Sequence, residues 1–204
     1  MKVIVFGATG GVGQHVVKMA VEAGHEVTAF VRTPSKLQTT SGVNIVQGDA
    51  FNAQAVAQAI VGHDAVISCV GSSTGMKKSN ELEQMGKNIA DGMAAANVSR
   101  VAYCASAGVD KEIPGIAGKM MMTLLKNPLA DHRAALKHYK AHNFNLTVAR
   151  PMGLKDDALS TTYAEAFEGV PGTSNSIPRA SVAHFLVKSL SDSRYDNTSV
   201  GLAL

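Results

Sequence analysis

The stretch VIVFGATGGVG, residues 3–13, runs an apolar segment straight into a string of glycines, and its reading decides the fold. Gly7, Gly10 and Gly13 fall three apart with Gly11 between them, so the spacing is not the G-x-G-x-x-G of the standard dinucleotide fingerprint. A glycine turn between a strand and a helix lets the backbone approach a pyrophosphate. The helix N-terminus behind it offers unpaired N–H groups and the positive end of a dipole. The competing reading is a tight turn that holds no ligand. Context favours binding. KVIVF (2–6) reads as a strand, and Val16, Val17, Ala20 and Val21 repeat at helical spacing between Gly11 and Ala23, ahead of the stop signal Gly24.

Working outward, apolar runs alternate with helical stretches, the pattern of βαβ units around a parallel sheet. EVTAFV (26–31), VNIVQ (43–47), DAVISCV (64–70), RVAYCAS (100–106) and FNLTVAR (144–150) read as strands two to six, the last closed by Pro151. A short helix is predicted over Ala53–Ile60. Asn80 and Glu83 have capping-box spacing ahead of a longer helix, whose Leu82, Met85, Ile89, Met93 and Ala96 share one stripe. A helical region broken near Pro128 follows, and a helix over Ser181–Leu190 and a short strand near Val200 finish the pattern. GLKDDALSTTYAEAF (153–167) and GVPGTSNSIPRA (169–180) read as small excursions on the substrate side. The expectation is one α/β domain spanning 1–204, doubly wound around a mainly parallel sheet.

Composition narrows the class. Of the 204 residues 46% are hydrophobic and 17% charged, which fits a compact folded chain. A net charge of +3 is too mild to argue for nucleic acid or a membrane surface. No apolar run approaches the roughly 20 residues that span a bilayer, and KVIVFGATGG leads into a strand and turn rather than a signal-peptide cleavage region. Two cysteines, Cys69 and Cys104, suit a reducing compartment, so the expected location is cytoplasmic.

The end of strand two bears on the cofactor. An NAD site places an acid there for the ribose 2′-hydroxyl, but FVRTPSK supplies Arg32, with Ser35 and Lys36 behind it. No acidic residue occurs between Glu26 and Asp49. A guanidinium and an ammonium pair with a 2′-phosphate, so NADPH is expected over NADH, against the alternative of a solvated basic loop. Asp49 fits two roles, an acceptor for the adenine amino group or an N-cap for the helix near Asn52. In CVGSS (69–73), Val70, Gly71 and Ser72 lie where the central part of a dinucleotide would pass.

An ordinary short-chain dehydrogenase carries Tyr-x-x-x-Lys. Tyr103, Tyr139, Tyr163 and Tyr195 are followed four residues on by Ala107, Asn143, Phe167 and Ser199, none of them lysine. This argues against carbonyl reduction by a Tyr–Lys acid and favours an acceptor that takes hydride without one: a flavin, a quinone or a conjugated tetrapyrrole.

VIVFGATGGVG, FVRTPSKL, VQGDA, DAVISCVGS, YCASAGV, DHRAALKHYKAHNFNLTVARP and IPRASVAHFLVKSL occur in an order that resembles the atypical short-chain dehydrogenases, nearest the NADPH-dependent flavin reductase or biliverdin-IXβ reductase branch with its NmrA-like relatives. The resemblance implies a Rossmann-type fold. It implies that Gly7 and the backbone of Thr9, Gly10, Gly11, Val12 and Gly13 hold the pyrophosphate, Arg32 and Ser35 the 2′-phosphate, and Asp49 and Ala50 the adenine. It also implies that Val70, Gly71 and Ser72 border the central part, and that Cys104, Ala105, Ser106 and Pro151 line the nicotinamide. Ser106 would orient the carboxamide or the substrate, unless it only caps a strand end. His132 would shape the pocket mouth, unless it is a surface helix residue. Where vertebrate members of the branch have a histidine two residues beyond the proline, Gly153 stands here, which opens the acceptor pocket. The implied protein is a reductase of a planar small molecule, with a flavin as substrate rather than prosthetic group, no nucleic-acid or membrane partner, and a monomeric or weakly dimeric state. The rival is a non-catalytic NADP(H) sensor acting through a protein partner.

Three further signals have bland readings. His138 and His142 are spaced i, i+4 but lack the glutamate of H-E-x-x-H and a third ligand, so a solvated basic helix face is expected and no metal. Met120–Met122 read as core packing, with an adaptable lid as the alternative. Cys69 and Cys104 are expected at the ends of neighbouring strands.

Overall fold

The computed structural model describes residues 1–204. Strands β1 (Lys2–Phe6), β2 (Glu26–Val31), β3 (Val43–Gln47), β4 (Ala65–Ser68), β5 (Arg100–Cys104), β6 (Asn145–Pro151), β8 (Ala164–Ala166) and β10 (Ser199–Ala203) form one sheet in the order β3-β2-β1-β4-β5-β6-β10-β8. Every pairing is parallel except β10 with β8. Strands β7 (Gly153–Lys155) and β9 (Ser176–Pro178) make a small parallel pair of their own.

Helices α1 (Gly11–Glu22) and α6 (Arg179–Ser189) pack together on one face. On the other lie α2 (Ala53–Ile60), α3 (Glu81–Ala95) and α5 (Lys126–Lys140), while α4 (Gly115–Leu124) rides outside. With both faces covered, the central strands β1 and β4 are buried nearly throughout rather than alternately. In β1, Val3 and Val5 join the core under α1 and α6, whereas Ile4 and Phe6 join the core under α2, α3 and α5. Each such fully buried side chain contributes roughly 1.5–3 kcal/mol. The strand order reverses between β1 and β4, and in such sheets ligands bind at that switch point, beyond the carboxyl ends of the strands. This is the expected single-domain, doubly wound α/β fold of the Rossmann type.

Local departures from the sequence reading have physical causes. The helical region breaks at Leu125 rather than Pro128, because Pro128 sits in the first turn of α5, where its missing N–H costs nothing. The Asn80–Glu83 capping box does not form: the Asn80 side chain makes no cap. Instead Asp131, from α5, accepts from the Leu82 amide at 3.2 Å and the Glu83 amide at 3.0 Å, with Ser79 Oγ donating to it at 2.6 Å. Strands β4 and β5 end at Ser68 and Cys104, so residues 69–73 and 105–107 are loops at the binding edge.

Candidate dinucleotide site

The glycine turn leaves β1 at Gly7, where φ is +75°, and enters α1 at Gly11. That left-handed backbone favours glycine, and a Cβ there would also overlap the Cys69 carbonyl. Gly13 is constrained differently, since a Cβ would overlap the Gly7 carbonyl oxygen and push the helix off the strand. The turn is closed by Gly10 N–H donating to Gly7 O at 2.9 Å. Helix α1 has Gly10 as its N-cap, no side-chain cap and no acid in its first turn. Its leading N–H groups are thus open to an external anion, as a pyrophosphate requires. The bare cradle and its donor set fit a dinucleotide.

One groove of about 280 Å³ runs from this turn across the switch point. It gathers Gly7, Thr9, Gly10, Arg32, Asp49, Ala50, Val70, Gly71 and Ser72, nine of the residues expected from sequence. Arg32 follows β2 directly, is exposed and makes no ion pair within the chain. Ser35 lies in the exposed one-turn helix Pro34–Lys36. Gln14 of α1 fixes this loop: its Nε2 donates to Lys36 O at 2.7 Å and its Oε1 accepts from Gln38 N at 3.0 Å. Gly11, Val12 and Gly13 form the helix start rather than the groove wall.

Asp49 and Ala50 lie past β3. The cap of α2 belongs to Asn52, whose side chain accepts from Ala55 N at 3.0 Å, so the N-cap role considered for Asp49 is filled by another residue. Asp49 stays exposed on the groove, its Oδ1 accepting from Phe51 N at 3.0 Å. Asn88 of α3 holds this loop by donating to Ala50 O at 2.9 Å.

Glu81, at the start of α3, organises the loop after β4. Its carboxylate accepts from Ser73 Oγ at 2.7 Å, Ser73 N at 2.6 Å and Ser72 Oγ at 2.9 Å. Those bonds, the Ser73 hydroxyl first, hold its carboxyl below the usual carboxylate range. Asn88 and Gln14 were invisible to sequence reasoning because each acts on a loop distant in sequence, and Glu81 because its bonds to Ser72 and Ser73 follow no local motif.

The other expected residues, Cys104, Ala105, Ser106, His132 and Pro151, do not line this groove. Past Cys104 the amides of Ala105 and Ala107 bond to the carbonyls of Ala149 at 2.8 Å and Pro151 at 2.9 Å, prolonging the β5–β6 ladder. Ser106, between them, donates to Ala107 O at 3.2 Å. Pro151 ends β6 and is buried. His132 is not a surface histidine. It is half-buried on α5 with Nδ1 2.9 Å from the hydroxyl of the fully buried Tyr103, and burial pushes its pKa down to about 4 against the pull of Asp131.

Cys69 follows β4 and Cys104 ends β5, on neighbouring strands. The Cys69 thiol is raised well above its usual range by a hydrogen bond with Cys104 and then by burial, so it stays a thiol. Core packing fails for two of the three methionines: Met120 is 69% and Met121 49% exposed, and only Met122 packs inward, toward Gly108. His138 and His142 each face an acid of α3, Glu83 at 3.9 Å and Asp91 at 3.7 Å.

The sequence profile of a family described as NAD(P)H-binding matches residues 7–193. A 3-beta-hydroxysteroid dehydrogenase of Mycolicibacterium neoaurum is 33% identical over 119 residues, covering 53% of this chain and 32% of that protein. The chain thus covers less than two thirds of that curated relative. Among solved structures, a short-chain dehydrogenase/reductase from Veillonella parvula DSM 2008 in complex with NADP superposes with a TM-score of 0.82 at 20% identity, over 100% of this chain and 94% of that one. ChuY, an anaerobillin reductase from Escherichia coli O157:H7, superposes with a TM-score of 0.81 at 20% identity, over 99% and 96%. These likenesses bear on the fold. With the family match across most of its length, the chain belongs to the NAD(P)H-binding family.

Proposed function

We propose that the protein is an NADPH-dependent reductase that passes hydride to a planar conjugated acceptor, a flavin such as FMN or riboflavin, a quinone or a biliverdin-like tetrapyrrole. The observation that carries the acceptor class is the state of the tyrosines. Tyr103, Tyr139 and Tyr195 are 0% exposed, and the Tyr163 hydroxyl is engaged with His184 Nδ1 at 2.9 Å. Burial raises the pKa of all four, first among the causes in each case. None of the four lines the groove, and Tyr195, which has Lys188 against it, spends its hydroxyl on Glu165 at 2.8 Å, so an acceptor that needs no tyrosine acid fits best.

Bound NADPH supplies a hydride from its dihydronicotinamide, and the balancing proton comes from solvent or through the Ser106 hydroxyl. The chain's own work is positioning. The glycine turn and α1 hold the pyrophosphate, and Arg32 with Ser35 selects the 2′-phosphate. Ser106, fixed by the amides on either side of it, orients the carboxamide or the acceptor. His132 is neutral at physiological pH. Its Nδ1 shares a hydrogen bond with the Tyr103 hydroxyl, which fixes the orientation of the ring.

The test is NADPH oxidation with FMN, riboflavin, a quinone and biliverdin in turn. Turnover with at least one is expected. Tight NADP(H) binding without turnover of any of them would replace the reductase with a redox sensor.

A further inference from the structure

Arg179, the first residue of α6, lays its side chain across Gly11, the first residue of α1. A Cβ on Gly11 would stand 2.7 Å from Arg179 Cδ and 2.8 Å from its Nε. The extra glycine of GATGGVG thus makes room for this arginine. The placement is electrostatically perverse as it stands. A cation near a helix N-terminus meets the positive end of the dipole, and α1 has no acid in its first turn to offset it. The guanidinium's only ion pair is with Asp156, Nη1 to Oδ1 at 2.7 Å, and Asp156 is 85% exposed. Such a solvent-washed pair adds little. Its frame is firm, however. Asp156 and Arg179 directly follow β7 and β9, whose last pair is Lys155 with Pro178, and α6 packs along α1.

A positive helix end and a guanidinium brought together are each satisfied by an anion lying between them. We propose that Arg179 is a ligand of the dinucleotide pyrophosphate, held in readiness by Asp156 and released from it when the cofactor binds. The proposal rests on the cofactor groove described above. The bidentate fork of arginine suits two phosphate oxygens. Because Asp156 opens the 156–163 excursion, the exchange would also tell the substrate side that the cofactor is in place.

Calorimetric binding of NADP⁺ and of 2′-AMP to the intact chain tests this, since 2′-AMP keeps the 2′-phosphate and lacks the pyrophosphate. Arg179→Gln is expected to weaken NADP⁺ about ten-fold while leaving 2′-AMP unchanged, whereas Arg32→Gln weakens both. Unchanged NADP⁺ affinity in Arg179→Gln, or an equal loss for both ligands, overturns the proposal. Should Arg179→Gln not fold, Asp156→Asn at its exposed site carries the test. NADP⁺ is then expected to bind more tightly with 2′-AMP unchanged, and unaltered NADP⁺ affinity overturns the proposal. Failure of the unaltered protein to bind NADP⁺ would instead overturn the cofactor reading beneath it.

Discussion

The Glu112 carboxylate accepts from Arg150 Nη1 at 2.6 Å, and the two side chains are only 9% and 3% exposed. Glu112 also accepts from the amides of Gly108 and Asp110, each at 2.9 Å. Arg150 donates further to Gly169 O at 2.9 Å and Ser199 O at 3.1 Å. The pair thereby ties the loop that carries Ser106 to β6 and to the excursion beyond β8. Removing one partner leaves a buried charge uncompensated. Glu112→Ala should cost about 3 kcal/mol in urea unfolding, and adding Arg150→Met should recover part of that loss. Equal stability of the single variant and the unaltered protein would contradict this role.

Two glycines, Gly13 at the start of α1 and Gly71 on the groove, separate folding from binding. Gly13→Ala forces a Cβ against the Gly7 carbonyl, so a loss of roughly 1–3 kcal/mol in stability is expected along with weakened NADPH binding. Gly71 has open space where its Cβ would be, yet borders the groove. Gly71→Ala should melt like the unaltered protein and bind NADPH less tightly. Calorimetry of unfolding beside ligand titration reads both.

Much of this was legible in the chain. β1, β2, β3 and α2 stand where their patterns put them, because β1 and β2 are buried strands and nearly continuously apolar, the edge strand β3 keeps a short apolar run, and an eight-residue amphipathic run has one register. Arg32 was visible because the position after β2 is fixed by the topology. What escaped is long-range. Asp131 caps α3 from 48 residues away, a satisfaction of orphan amides that no local motif encodes. The same holds for Asn88 and Gln14, each a clamp on a loop supplied by another element. Met120 and Met121 misled because apolar residues on a helix outside the two main layers read like core residues.

Arg32 should govern cofactor choice. Arg32→Asp replaces an attraction for the 2′-phosphate by a repulsion, and a charge-assisted contact is worth roughly 1.5–3 kcal/mol. The NADPH/NADH affinity ratio is expected to fall by about ten- to a hundred-fold. An unchanged ratio, measured by fluorescence titration, would remove Arg32 from the site.

His132 makes a prediction for acid stability. Its pKa lies at about 4 in the folded chain against an ordinary 6.5, so between those values the unfolded chain binds the extra proton. The stability gained from keeping this imidazole neutral is complete above pH 6.5 and is lost as the pH falls toward 4, amounting to at most about 3 kcal/mol. His132→Gln, which keeps a hydrogen-bond partner for Tyr103, should flatten the decline of unfolding free energy over that interval. A decline as steep as in the unaltered protein would place the titration elsewhere.

Hydride transfer from NADPH to a planar acceptor is read out by anaerobic single-turnover mixing. NADPH-loaded protein is mixed with FMN, with biliverdin and with a quinone, and acceptor bleaching is followed beside nicotinamide oxidation. The account predicts one acceptor reduced for each NADPH consumed, at least about ten-fold faster than with NADH. NADPH that stays bound and unoxidised beside every acceptor would contradict it.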